Sequence, residues 1–273
     1  MSSAEFDPRP IGVFDSGIGG ITVLKEVIRQ FPNENFIYLG DTARLPYGSK
    51  SAETVRQYTV QNMKFLVSRD VKAIIVACNT ASTQVFETEY EGRPIYNVID
   101  PGSKLAAETT KNNKIAVLAT RGTVAAGSYP KKIKLFKPDA EVISRACPLF
   151  VPFAEEGLHD DPLTNLVAYR YLQDLKQMDV DTVVLGCTHY PLLKTAIQRV
   201  FGNYVHLIDS GEAVAAQVQN DFDQFKILPN APTTTPSLIV SLTDQSQHFE
   251  NLTSTLLSSV SSRKIHFETV SVT

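Results

Sequence analysis

An apolar run ends at a cysteine in the stretch Ala73-Ile74-Ile75-Val76-Ala77-Cys78-Asn79-Thr80-Ala81-Ser82. The β-branched residues of this run predict a buried parallel strand, and the small polar residues after it can begin a helix. The pattern returns at Cys187 in Asp181-Thr182-Val183-Val184-Leu185-Gly186-Cys187-Thr188-His189-Tyr190-Pro191. Two cysteines are therefore expected at the carboxyl ends of two strands, where open α/β sheets bind their ligands.

Composition places the chain among ordinary globular proteins. Its 273 residues, 43% hydrophobic and 20% charged, suffice for a sizeable core in one or two domains. The net charge of −3 and the lack of a basic stripe argue against nucleic acid as a partner. No apolar run reaches the ~20 residues of a membrane helix, and residues 1–8 lack the features of a signal peptide. Three cysteines make no disulfide framework, so we expect free thiols and a cytoplasmic location.

Strand and helix signals alternate along the chain, which predicts an α/β fold with parallel sheets covered by helices on both faces. Ser51 is expected to cap a helix that runs to about Arg69, and further helices are expected at 163–178, 212–225 and 249–257. Residues 228–236 predict a linker. The predicted strands are 11–14, 35–39, the runs before the two cysteines, 95–99, 114–118, 141–144, a strand ending at Asp209, 238–242 and 264–270.

The pattern restarts after Asp100, which indicates an internal duplication. Cys78 and Cys187 are 109 residues apart, and 22 residues after each cysteine an Ile-Asp pair ends, at Asp100 and at Asp209. These matches predict two similar parallel-sheet α/β domains related by a pseudo-two-fold duplication, with the active site in the cleft between them. The expected first domain is 1–99 plus 210–273, whose last elements complete its sheet, and the second is 100–209. One undivided doubly wound sheet is the alternative.

The two strand-end cysteines are candidates for chemistry because a thiolate is a good base and nucleophile. His189 lies two residues after Cys187 and could take or hold its proton. Asp15 ends the first strand, which should lie beside the strand of Cys78. Cys147 has no comparable setting and is predicted to be a small buried hydrophobe.

Two thiols on facing domains suit one kind of reaction. Inversion of a carbon centre removes a proton on one face and delivers another on the opposite face, so racemisation without a cofactor needs two acid–base groups. The developing negative charge must then be surrounded by fixed donors and shielded from water. Suitable small polar residues lie near the cysteines: Ser16, Asn79, Thr80, Thr188 and the turn from Thr120 to Thr123.

Other motifs exclude rival chemistries. Gly17-Ile18-Gly19-Gly20 lacks the third glycine of a dinucleotide fingerprint and no Walker lysine follows, although its N–H groups could bind a carboxylate. No second Cys/His cluster completes a metal site beside Cys187, so no metal is expected. Asp41 and Tyr47-Gly48 either shape a loop or line the site.

Six stretches of the chain match one known family: Val13-Phe14-Asp15-Ser16-Gly17-Ile18-Gly19-Gly20, Gly40-Asp41 with Pro46-Tyr47-Gly48, Cys78-Asn79-Thr80-Ala81, Thr120 with Gly122-Thr123, Val151-Pro152-Phe153-Ala154-Glu155, and Gly186-Cys187-Thr188-His189-Tyr190-Pro191. By these motifs, which span residues 11 to about 211, the chain resembles the cofactor-independent glutamate racemases of bacterial cell-wall synthesis, within the wider aspartate/glutamate racemase group.

The resemblance implies a role for each motif residue. Cys78 would remove the proton from D-glutamate and Cys187 the proton from L-glutamate. Asp15 would assist Cys78, whereas His189, together with Glu155 or alternatively Glu156, would assist Cys187. Ser16, Asn79, Thr80 and Thr188 would hold the amino-acid head group, and the backbone near Tyr47-Gly48 and Thr123 would meet the side-chain carboxylate. Asp15, Thr120 and His189 are expected to bind the substrate as well.

The resemblance also bears on substrate and partners. The histidine after Cys187-Thr188 indicates glutamate rather than aspartate, no cofactor is expected, and a homodimer is one possible assembly. Only ten residues precede the first strand, so regulation through an N-terminal extension is not expected. The alternatives are a racemase of the same group acting on aspartate or another small acid, and, in another class, a non-catalytic two-domain binding protein or thiol sensor.

Overall fold

Two parallel β-sheets organise the protein, as seen in a computed structural model that describes residues 6–224, 226–231, 235–261 and 263–273. The strands of the first sheet, in chain order, are β1 (Ile11–Asp15), β2 (Phe36–Gly40), β3 (Ala73–Val76), β4 (Glu89–Tyr90), β5 (Arg93–Asn97), β10 (Leu238–Leu242) and β11 (Ile265–Thr269). The second sheet contains β6 (Lys114–Ala119), β7 (Glu141–Ala146), β8 (Thr182–Gly186) and β9 (His206–Asp209).

The strand order is β11-β10-β2-β1-β3-β5-β4 in the first sheet and β7-β6-β8-β9 in the second. All neighbouring strands are parallel except β4 and β5. The helices of the described residues are α1 (Gly20–Gln30), α2 (Ala52–Ser68), α3 (Asn79–Ser82), α4 (Ile99–Thr109), α5 (Arg121–Ala126), α6 (Ser128–Phe136), α7 (Phe150–Glu155), α8 (Pro162–Gln177), α9 (Lys194–Phe201), α10 (Ser210–Asp223) and α11 (Gln247–Leu257).

Each sheet is buried on both faces, as the predicted alternation requires. Along β1, Val13 lies in the core shared with α1, α10 and α11, whereas Phe14 lies in the core under α2. In the second sheet, Leu118 packs with α8 and α9, and Val117 packs with α4 and α6. The predicted fold class, two α/β units with parallel sheets, is confirmed.

The duplication is visible in the strand order, because β2-β1-β3-β5 and β7-β6-β8-β9 follow the same path. One predicted correspondence is wrong. Val76 pairs with Asn97 and Leu185 pairs with Asp209, so the counterpart of Asp209 is Asn97 rather than Asp100. The connection after Cys187 is longer because a 3₁₀ turn and α9 replace the single turn of α3. Equal spacing therefore matched positions that are not equivalent.

Most predicted elements lie where the periodicity placed them. Ser51 caps α2 by accepting a hydrogen bond from the Thr54 N–H at 3.2 Å. The predicted strand 95–99 ends early, at Asn97, because the Asn97 side chain accepts hydrogen bonds from the N–H groups of Ile99 and Asp100 and α4 begins there. The antiparallel β4–β5 pair and α7 were not predicted from the sequence.

The chain after β9 returns to the first sheet, where β10 pairs with β2 and β11 with β10, as expected. This strand content supports the division into 1–99 plus 210–273 and 100–209, which stays a prediction. The end of the predicted helix 212–225 and residues 232–234 of the predicted linker lie outside the described residues. None of the helices in the described part of the chain has the length and apolarity that a bilayer crossing requires.

Candidate active site

Two thiols from the two sheets line one cavity. Cys78 follows the end of β3 and Cys187 follows the end of β8, and their exposed fractions are only 5% and 6%. The cavity is nearly closed, with a volume of only about 20 Å³, which is room for about one water molecule. It is lined by Ser16, Pro46, Tyr47, Gly48, Cys78, Asn79, Thr80, Thr120, Val151, Cys187, Thr188 and His189.

Cys78 lies in a setting that favours its neutral thiol. Its pKa is raised well above the ordinary value, first by burial and then by the negative charge of Asp15 on the neighbouring strand β1. The Ala81 N–H donates to Cys78 Sγ at 3.4 Å, and Ser16 Oγ lies 4.0 Å from the sulfur. These two groups are the nearby dipoles that can stabilise a thiolate when one forms.

The Asp15 carboxylate connects the two sides of the cleft. It is fully buried and accepts hydrogen bonds from the N–H groups of Gly17 at 3.1 Å and Gly20 at 2.9 Å. Burial raises the pKa of Asp15, although the nearby His189 and the two N–H groups oppose that shift. The Thr188 hydroxyl, on the loop of Cys187, lies 3.4 Å from Asp15 Oδ1. Asp15 therefore adjoins both thiol sites and not only that of Cys78.

Cys187 has a cationic partner. His189 Nδ1 lies 3.7 Å from Cys187 Sγ, and His189 Nε2 lies 3.0 Å from Glu155 Oε1. Burial alone would lower the pKa of His189, but its hydrogen bonds to Cys187 and Glu155 outweigh burial and raise the pKa to about 10. The imidazolium can then donate to the carboxylate and the sulfur at once. Of the two adjacent glutamates, the structure brings Glu155 to His189.

Three threonine hydroxyls cluster at one end of the cavity, where Thr80 and Thr120 line it and Thr123 is buried beside them. Thr80 Oγ1 lies 3.0 Å from Thr120 Oγ1 and 3.1 Å from Thr123 Oγ1, and the latter two are 3.0 Å apart. Gly48 approaches this group so closely that a Cβ there would lie 2.6 Å from Thr120 Cβ. A glycine is therefore required where the wall of one unit meets the wall of the other. The structure thus brings together five residues that were predicted to bind the substrate: Tyr47, Gly48, Thr80, Thr120 and Thr123.

Asn79 presents an unused donor. Its Oδ1 accepts a hydrogen bond from the Tyr129 hydroxyl at 2.6 Å, whereas its Nδ2 is buried without a hydrogen-bond partner among the described residues. A buried donor without a partner is costly, which indicates a group that binds an acceptor in the cavity. Tyr129 was not singled out from the sequence. It lies on α6, and its contact with Asn79 depends on how the two units meet.

A second interface residue was also missed. The Thr22 hydroxyl on α1 donates to the backbone carbonyl of Thr188 at 2.8 Å and so fixes the loop that carries His189. Cys147 is fully buried in the core of the second sheet, as predicted, and burial raises its pKa to about 12. No three His, Cys, Asp or Glu side chains are arranged to hold a metal ion in the described part of the chain.

Two α/β units that each contribute a strand-end cysteine to one cavity define a two-domain protein with a paired-thiol site. The chain belongs to the Asp/Glu/Hydantoin racemase family, whose model matches residues 11–218. This membership confirms the resemblance expected from the motifs.

Within this family, the chain is similar to glutamate racemases in both sequence and structure. A glutamate racemase from Geobacter metallireducens is 50% identical over 209 residues, which cover 76% of this chain and 77% of the relative. The crystal structure of a glutamate racemase isoform from Bacillus anthracis matches with a TM-score of 0.89 and 34% identity, over 96% of this chain and 97% of that one. A Francisella tularensis glutamate racemase in complex with D-glutamate matches with a TM-score of 0.88 and 36% identity, over 97% and 98% of the two chains.

Proposed function

We propose that this chain is a glutamate racemase that interconverts L- and D-glutamate by a two-base mechanism without a cofactor. The observation that carries the proposal is that Cys78 and Cys187 come from different sheets yet line the same small cavity. Relatives that are glutamate racemases cover most of the chain and support the choice of substrate.

The reaction moves two protons. In the L-to-D direction the Cys187 thiolate removes the Cα proton and becomes a thiol, and the bonding electrons remain on the substrate as a carbanion. The Cys78 thiol then gives its own proton to the opposite face of Cα and becomes a thiolate. The D-to-L direction runs the same two transfers backwards, with Cys78 as the base.

The resting protonation follows from the partners of each thiol. Burial and the adjacent Asp15 favour the neutral thiol at Cys78, whereas the His189 imidazolium lies 3.7 Å from Cys187 Sγ and can pair with a thiolate formed there during the reaction. One thiolate and one thiol are what the L-to-D direction needs at its start. After turnover the two protonation states are exchanged, and proton transfer with solvent restores them.

The Cα–H group of the substrate is a far weaker acid than a thiol, so the cavity must also reduce the difference between their pKa values. Each pKa unit of mismatch costs ~1.4 kcal/mol, so the carbanion needs fixed donors in a site that excludes water. Asn79 Nδ2 is such a donor, with the hydroxyls of Ser16 and Thr188 nearby in the lining. We assign the head group of the substrate to these residues.

The other end of the substrate is assigned to the threonine cluster. The hydroxyls of Thr80, Thr120 and Thr123 and the backbone near Gly48 can donate to a side-chain carboxylate. This end selects the length of the substrate, since a carboxylate that falls short would leave buried donors unpaired.

The proposal includes a cellular role and location. D-glutamate would serve peptidoglycan synthesis in the cytoplasm, where reducing conditions keep the thiols free. Glutamate would be its small-molecule partner. That the protein forms a homodimer stays a prediction. A measurement of its molecular mass in solution tests it.

Incubation of each enantiomer of glutamate and of aspartate in heavy water tests the substrate. The proposal expects deuterium at Cα of glutamate together with inversion. Deuterium in aspartate alone would contradict it and favour a sibling racemase. Binding of glutamate without any exchange, retained in Cys78→Ser, would instead favour a non-catalytic binding protein.

A further inference from the structure

The turn between β10 and α11 contacts both walls of the cleft. We call residues 243–248, which comprise this turn and the first two residues of α11, the clamp turn. It lies beyond residue 218, where the family match ends. Its helix is firmly attached to the first sheet, because Phe249 and Leu257 are buried in that sheet's core.

On one wall the clamp turn holds the loop that carries Tyr47 and Gly48. The Thr243 N–H donates to the Gly40 carbonyl at 3.1 Å, and its hydroxyl donates to Asp41 Oδ1 at 3.1 Å. The same hydroxyl accepts the Ala43 N–H at 2.9 Å. This side of the contact is a network of several bonds.

On the other wall, within the described part of the chain, the clamp turn makes one hydrogen bond. His248 Nε2–H donates to the backbone carbonyl of Glu155 at 2.9 Å. Glu155 ends α7, whose Val151 lines the cavity, and the Glu155 carboxylate holds His189. A relay of contacts therefore joins an exposed histidine of the first unit to the Cys187 thiol of the second.

We propose that His248 is a positioning residue that holds the cleft closed and fixes Glu155 against His189. Both thiols are almost fully buried, so an amino acid reaches them only when the walls separate. Movement of α7 away from α11 breaks the His248 bond, whereas the network at Thr243 stays within the first unit. The inference rests on the proposed function for its catalytic consequence but not for the closure itself.

The test measures how often the cleft opens. Wild-type protein and His248→Ala are treated with iodoacetamide, and the alkylation rates of the three cysteines are followed by peptide mass spectrometry. One hydrogen bond shifts an equilibrium by about twofold to tenfold, so Cys78 and Cys187 should react faster by that factor in the variant. Cys147, which is buried inside the second unit, should keep its rate.

Two variants control the experiment. His248→Gln keeps a donor at the Nε2 position and should restore rates to within about twofold of wild type. His266→Ala makes the same chemical change at an exposed position of β11 and should alter no rate.

Equal alkylation rates of Cys78 in wild type and His248→Ala would overturn the inference. A parallel rise at Cys147 would also overturn it, since that result means general loosening. Racemase activity supplies the second readout: kcat/KM should fall by about twofold to tenfold for both enantiomers. The alkylation needs no turnover, so a failed racemase assay and a failed closure can be told apart.

Discussion

Substitution of His189 by asparagine removes a positive charge beside Cys187 and keeps a neutral donor near the position of Nδ1. In the structure this nitrogen lies 3.7 Å from Cys187 Sγ. A hydrogen bond from a charged donor contributes about 1.5–3 kcal/mol and one from a neutral donor about 0.5–1.5 kcal/mol, so the substitution removes about 1–1.5 kcal/mol, and 1.4 kcal/mol is a tenfold change in rate. We therefore expect kcat/KM to fall by about 5- to 10-fold in His189→Asn.

The fall in kcat/KM must be equal for the two enantiomers, because the equilibrium constant of a racemisation is one. The two directions differ instead in their isotope effects. With α-deuterated L-glutamate, the weakened Cys187 step carries the label, so the substrate isotope effect on kcat/KM should increase. With α-deuterated D-glutamate the label moves in the unimpaired Cys78 step, and the substrate isotope effect should stay small.

Asp15→Asn is the matched variant on the other side of the cavity. If Asp15 acts chiefly on Cys78, the isotope effect should increase for deuterated D-glutamate instead of the L-enantiomer. Polarimetry or circular dichroism of deuterated and protiated substrates gives both numbers. Equal isotope effects for the two enantiomers in both variants would refute residue-specific assistance.

Three further predictions concern stability. The folded-state pKa of His189, about 10, exceeds its ordinary value of 6.5, so the stabilisation from its charged form is complete below pH 6.5 and is lost as the pH rises through 10. The Tm difference between wild type and His189→Asn should therefore narrow between pH 6.5 and 10. A Tm difference that stays constant over this range would contradict the prediction. Burial raises the pKa of Asp15, which means that the charged carboxylate destabilises the folded state. The neutral side chain of Asp15→Asn should therefore raise the Tm by about 2–4 °C at pH 7. Scanning calorimetry should show that this gain in Tm becomes smaller as the pH falls and the carboxyl group of the wild type is protonated. Arg44 donates hydrogen bonds to both carboxylate oxygens of the fully buried Asp41. Arg44→Met leaves that buried charge without its partner, so the free energy of unfolding measured in urea should fall by about 3–5 kcal/mol. Adding Asp41→Asn removes the unpaired charge and should recover part of this stability, and a loss below 1 kcal/mol in Arg44→Met would contradict the prediction.

Local patterns predicted the parts of the site that belong to single strands. Cys78, Cys187 and Asp15 follow apolar runs whose period and length specify a buried strand and its end. The order of strands repeats in both units, so the two cysteines had to reach equivalent edges. These features depend only on neighbouring residues and on the rules of parallel sheets.

Contacts across the cleft could not be predicted in the same way. The hydrogen bonds from Tyr129 to Asn79, from Thr22 to Thr188 and from His248 to Glu155 join residues far apart in the chain. Their existence depends on how the two units are placed, which periodicity does not encode.

Equal spacing in the sequence also gave one wrong correspondence between the two units. Asp100 and Asp209 are equally far along the chain from their cysteines, yet Asn97 occupies the position of Asp209, because the connection after Cys187 contains a 3₁₀ turn and α9 where the first unit has only the short α3. Conversely, geometry decided what sequence could not: of the adjacent residues Glu155 and Glu156, only the first has its carboxylate against His189 among the described contacts.

The two-base claim is tested most directly by the position of the label early in a reaction in heavy water. With unlabelled L-glutamate and wild-type enzyme, the account predicts that D-glutamate carries deuterium at Cα while the remaining L-glutamate stays protiated. This follows because Cys78, on the product side, carries a solvent-derived proton and Cys187 returns the substrate's own. Deuterium that enters the remaining L-glutamate as fast as the D-glutamate product would contradict the assignment of one thiol to each face.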